Sequence, residues 1–136
     1  MVDDVLLNKS EIIENCLRRI HEEYAGQPQH LRNNQTKQDS ILLNLERACQ
    51  AAIDMGMRVT RMRALGLPKE SRDAFHLMHQ AGIIDAVLLQ SMLGLVGFRN
   101  TAVHYYKKLD LDIVEAVITR HLGDFRAFTA ICLRLS

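Results

Sequence analysis

Ile41, Leu42, Leu45, Ala48, Cys49, Ala52, Met55, Gly56, Val59 and Met62 recur at steps of three and four over about six turns. Glu46, Arg47, Gln50, Asp54, Arg58 and Arg61 fall between them, on the opposite face. A stripe this long belongs to an amphipathic helix that buries one side. Strands are excluded here, because alternation with period two is absent. Only 7 Gly and 2 Pro occur in 136 residues, too few for the frequent turns of a β-sandwich or barrel.

The flanking segments read the same way. Val5, Leu6, Ile13, Cys16, Leu17, Ile20 and Tyr24 mark a first helix over residues 3–24, with Lys9 interrupting the stripe. Its stem can lie on the core with the amine outside. Residues 25–38 (AGQPQHLRNNQTKQ) lose the periodicity and are expected as the one long exposed loop, pinned by Leu31. Asp39 or Ser40 is the expected cap of the long helix. Gly66 and Pro68 turn the chain, Ser71 is the expected cap of a short helix bearing Ala74, Phe75, Leu77 and Met78, and Gly82 ends it. From Asp85 the run AVLLQSMLGLVGF is apolar nearly all round, so it is expected either as the central helix or at a subunit interface. A last helix starts near Leu111 and carries Val114, Val117, Ile118, Phe125, Phe128, Cys132 and Leu135. Short connections favour antiparallel neighbours. The expectation is a single all-α domain over residues 1–136: an up-and-down bundle of four long helices plus a short one.

Net charge is +1, from 17 Lys and Arg against 16 Asp and Glu, which excludes a strongly basic nucleic-acid platform. Arg18, Arg19, Arg58, Arg61 and Arg63 read as a solvated face, since acidic residues are interleaved. Cys16, Cys49 and Cys132 fall on apolar stripes with no CxxC spacing, so they are expected as reduced core thiols. No membrane-length apolar stretch occurs. The acidic start Met1-Val2-Asp3-Asp4 lacks the charge pattern of a secretion signal, and a cytoplasmic protein is expected.

Glycine-rich phosphate loops, GxSxG and HExxH are all missing. His76 and His79 stand three apart without an evident third ligand, so no metal or other cofactor is expected. The segment Arg99 to Tyr106 differs from the rest. Arg99 offers a planar fork of donors suited to phosphate oxygens. His104 titrates near neutrality. Asn100 and His104 are i, i+4 and share a helix face. Arg99 and His104 stand five apart, about 140° around a straight helix. A helix ending inside the motif, or two copies meeting across a two-fold axis, would bring them together. Arg, Asn and His near a helix end also serve as caps and ion pairs, so residue type alone leaves catalysis and structure both open.

The pattern Arg-x4-His-x-Tyr (Arg99, His104, Tyr106), preceded by MLGLVGFRN and set in an all-helical chain, resembles the HEPN superfamily, and within it the HepT-type ribonuclease toxins. The likeness extends over Asp39 to Asp54, Gly66-Leu67-Pro68 and Phe75 to Ile84. It implies a HEPN-like homodimer acting on RNA without a metal, with a composite site where two motifs meet. Catalytic roles pass to Arg99, Asn100 and His104. The resemblance also implies a MntA-like nucleotidyltransferase antitoxin that silences the toxin by attaching AMP to Tyr106. The alternative is a non-enzymatic helical adaptor that presents a substrate to such a nucleotidyltransferase.

Overall fold

The computed structural model describes residues 2–104 and 110–135, with only the backbone course for 101–104. Asp3 opens the fold: its carboxylate accepts from the Leu6 amide at 3.0 Å and caps α1 (Asp4–Tyr24). Leu6, Ile13, Cys16, Leu17 and Ile20 form its buried stripe. Lys9 lies at the stripe's edge and reaches Asp54 at 3.1 Å. Ala25 and Gly26 adopt left-handed φ of 49° and 68° and turn the chain away.

Residues 25–38 are not one loop. Pro28 starts a short helix, α2 (Pro28–Arg32), whose Leu31 is fully buried and does pin the segment. The long helix α3 (Gln35–Met62) begins earlier than its apolar stripe. Asn34, not Asp39 or Ser40, caps it by accepting from the Lys37 amide at 3.0 Å. The first turn of α3 carries no core residue, so periodicity cannot reveal it. Side chains secure it instead: Gln38 donates to the Leu31 carbonyl at 3.0 Å, and Gln35 to Asp39 at 2.7 Å.

Ion pairs set the direction of the first hairpin. Asp3–Arg58 (2.7 Å), Lys9–Asp54 (3.1 Å) and Glu23–Lys37 (3.8 Å) rise along α1 as they fall along α3, so the helices are antiparallel. After Met62 the chain turns through Gly66, at φ 141°, and α4 (Ser71–Gln80) follows. Glu70 occupies the cap position expected of Ser71, because Asp73 reaches back to the Lys69 and Glu70 amides at 2.8 and 3.1 Å. Gly82, at φ 75°, closes α4: its amide bonds the His79 carbonyl and the Ile83 amide bonds that of Met78, which is a Schellman motif. Asp85 accepts from the Leu88 amide at 2.8 Å and starts α5 (Ala86–His104). The last stretch is α6 (Leu111–Ala116), a π-helical turn (Val117–His121) and α7 (Leu122–Arg134). That wider turn shifts the helical register while Val117, Ile118 and Leu122 all stay buried.

The described residues form an all-helical bundle with α3 at its centre, touching α1, α2, α4, α5 and α7. The central place that residues 86–98 could have taken therefore belongs to α3. α5 buries Leu88, Leu89, Met92, Leu95 and Val96, but Val87 is 77% exposed, and Gln90 and Gly94 are exposed beside it. Val5 and Met62, both expected in the core, lie exposed at helix ends. Phe75 of α4 and Phe128 of α7 meet edge to face, with centroids 5.3 Å apart. Gly56 admits this arrangement: a Cβ there would stand 3.4 Å from the Phe75 ring. The arginines expected on a solvated face pair as Arg18–Glu22, Arg19–Glu23 and Arg58–Asp3.

The Arg58 guanidinium, and then the Leu6 amide, hold the Asp3 carboxyl below its ordinary value of 3.8. The folded chain thus binds this proton less readily than the unfolded chain. The stabilisation is present above the unfolded value and is lost as pH falls through the lowered folded one. Asp3→Asn keeps a capping oxygen and removes the charge. Its urea midpoint should lie below wild type at pH 7, with the two converging as pH drops from about 4 towards 2. A gap that is independent of pH would refute this role for the pair.

Candidate active site

The motif singled out in the sequence begins three turns into α5. Leu95 and Val96 are buried just before it, on a helix that packs against α3, α4 and α7. The Arg99 side chain is half-buried. Its Nε is buried and has no hydrogen-bond partner among the described residues. Its Nη1 donates to the neighbouring Asn100 Oδ1 at a long 3.3 Å. A buried donor left unpaired costs about 1–3 kcal/mol, and such exceptions ask for a reason. A guanidinium held this way keeps donors free for an anion.

Arg99 also faces α3. The Cys49 thiol lies within its field, which favours the thiolate, yet burial dominates and pushes Cys49 up to about 12. Burial does the same to Cys132, also to about 12, and raises Cys16. All three thiols are buried and free. They stay protonated at neutral pH, as expected of core cysteines, and none is an activated nucleophile.

The backbone remains helical through His104, so Asn100 and His104 stand one turn apart along one helix. Whether the helix ends inside the motif, after His104, lies outside the described residues. Within one chain they keep an angle of about 140°. The His104 side chain and Tyr106 lie outside the described residues.

Beside Asn100 a cavity of about 380 Å³ opens between α5 and the start of α4, lined by Glu70, Ser71, Arg72, Val96 and Asn100. Sequence reasoning missed Arg72 here, because nothing in its local pattern separates it from a solvated helix residue. A larger groove of about 920 Å³ runs between α1 and α3, with Arg18, Arg19 and Arg47 offset by Asp39 and Asp54. It contains no motif residue. His76 is exposed and His79 half-buried, and no group of three metal-ligating side chains occurs among the described residues. No helix among them is long and apolar enough to cross a membrane.

Comparison with known proteins identifies the family of the whole chain. The chain is 41% identical over 127 residues to the mRNA nuclease HepT of Shewanella oneidensis, covering 93% of this chain and 95% of that one. It superposes with a TM-score of 0.89 on a tri-AMPylated Shewanella oneidensis HEPN toxin in complex with MNT antitoxin, at 40% identity and 95% and 96% coverage. A crystal structure of a toxin–antitoxin with AMP-PNP gives a TM-score of 0.90 at 39% identity, covering 96% and 98%. The ribonuclease HepT-like profile matches residues 13–131. With this match across most of the helical bundle and the Arg99 motif on its fifth helix, the chain belongs to the ribonuclease HepT-like family.

Proposed function

We propose that this protein is the toxin of a toxin–antitoxin pair, an endoribonuclease that cleaves RNA without a metal at a site shared by two copies of the chain. The observation that carries this reading is Arg99: half-buried, with an unpaired Nε, on the same helix as His104 and next to Asn100, which lines a cavity. The mRNA nuclease activity of the Shewanella relative supports it.

RNA brings its own nucleophile. His104 takes the proton of a 2′-hydroxyl, the 2′-oxygen bonds to the adjacent phosphorus, and the P–O5′ bond breaks. A proton delivered to the leaving O5′ completes the step, yielding a 2′,3′-cyclic phosphate and a 5′-hydroxyl. Arg99 donates to the phosphate oxygens as charge accumulates there. Asn100, one turn before His104, orients the imidazole or the substrate. Arg99 and His104 diverge around one helix, so a second copy supplies the convergence. The uncovered face of α5, with Val87, Gln90 and Gly94 exposed, supports pairing at that helix.

Silencing follows from the same geometry. A MntA-like nucleotidyltransferase that attaches AMP to Tyr106 adds a phosphate that competes with RNA for Arg99. The complexes of similar toxins with MNT antitoxin, one of them AMPylated, support this partner. Co-expression with a MntA-like nucleotidyltransferase should add AMP at Tyr106, read by peptide mass spectrometry. The direct test of the chemistry is a single 2′-deoxynucleotide placed 5′ to the scissile phosphate. Cleavage should stop at that linkage and continue elsewhere. Cleavage that persists at the substituted linkage would exclude attack by the 2′-oxygen.

A further inference from the structure

We infer that Arg72, from α4, is a second phosphate-binding residue, positioning RNA beside the linkage that Arg99 and His104 act on. This rests on the ribonuclease reading and names a residue outside the motif. Arg72 reaches across to α5, where a Cβ on Gly97 would stand 3.4 Å from its Nη2. Gly97 lies two residues before Arg99, so the guanidinium rests at van der Waals distance from the helix that carries the motif. Arg72 and Asn100 line the same cavity of about 380 Å³, within the ~300–1,000 Å³ typical of ligand pockets. Among the exposed arginines, Arg18, Arg19, Arg32 and Arg126 pair with carboxylates, and what sets Arg72 apart from the remainder is its place in the cavity beside Asn100. Arg72 is exposed and makes no ion pair with any described residue.

The start of α4 supplies no free positive end, because the Glu70–Asp73 capping box already occupies its amides. Against Arg72 stands Glu70, which lines the cavity too and disfavours an anion there. The cavity is thus lined by one cation and one opposing carboxylate, and this gives a test with two signs. The RNA backbone is the occupant that fits: phosphates recur along it, so a strand anchored at Arg99 presents a neighbouring phosphate to a cation further along. A chain whose net charge is only +1 needs such local cations to hold RNA.

The test uses the full-length, unmodified protein, verified by intact mass, and a fluorescein-labelled RNA with 2′-O-methyl groups, which binds but cannot be cleaved. Affinity is read by anisotropy across a salt series, with cleavage of unmodified RNA followed in parallel. Arg72→Ala should weaken binding roughly 3- to 10-fold. It should also flatten the plot of log K against log salt by about 0.7 for each phosphate no longer neutralised. Arg72→Lys should restore the slope, and Glu70→Gln should tighten binding. In cleavage, Arg72→Ala should raise KM while kcat stays within about threefold. An unchanged slope and affinity in Arg72→Ala, with wild-type cleavage intact, would overturn the role of Arg72 alone. Weaker binding at an unchanged slope would show a packing role and overturn it equally. Wild-type protein that neither binds nor cleaves RNA would overturn the ribonuclease reading together with this one.

Discussion

Arg99→Ala and His104→Ala should each lower RNA cleavage by about 10²- to 10⁴-fold while the protein stays folded. In the proposed mechanism the two effects have different causes: His104→Ala would remove the proton acceptor for the 2′-hydroxyl, the role that general acid–base groups fill, and Arg99→Ala would remove donors aimed at charge that develops on phosphate. Folding should be nearly untouched in the Arg99 variant, because Nε has no described partner and Nη1 makes only the 3.3 Å hydrogen bond to Asn100. A structural ion pair would behave in the opposite way, costing stability and sparing activity. Circular dichroism and urea unfolding beside the cleavage rate separate the two. Folded variants that cleave at the wild-type rate would remove catalysis from this motif.

Phe75→Ala should destabilise the fold by about 3–5 kcal/mol, a large share of the roughly 5–15 kcal/mol that holds a domain together. Phe75 is fully buried, packs edge to face on Phe128, and rests against Gly56. Gly56 has no side chain with which to refill the space, so the cavity persists. Phe75→Leu keeps most of the volume and should cost markedly less. The consequence reaches the site, because Phe75 anchors α4, which carries Arg72 to the cavity beside Asn100. Urea unfolding measures the change. A destabilisation below about 1 kcal/mol would mean that α4 is held by something other than this aromatic pair.

Much of the bundle is legible in the sequence because burial imposes periodicity. The α3 stripe from Ile41 to Val59, the Gly82 stop and the Asp85 start all follow from local rules that tertiary packing does not override. The hidden parts are those where no apolar pattern is needed. Residues 35–40 extend α3 past the core and are held by the Asn34 cap and glutamine hydrogen bonds. The π turn at Val117–His121 leaves the apolar spacing intact and so leaves no trace in it. At the site, Arg99, Asn100 and His104 stand out through residue type and spacing. Arg72 does not, because only the fold brings it to the cavity beside Asn100. The apolar character of residues 86–98 is plain in the sequence, but one chain covers only part of α5, and the face bearing Val87 stays open.

The most direct measurement is RNA cleavage by purified, partner-free protein in EDTA, with its unmodified state confirmed by intact mass and with Arg99→Ala and His104→Ala run alongside. Wild type alone should cleave, leaving 2′,3′-cyclic phosphate and 5′-hydroxyl ends. No cleavage of varied RNAs by unmodified, folded protein would contradict the enzyme and leave the non-enzymatic adaptor. Cleavage that EDTA abolishes would contradict a metal-independent mechanism.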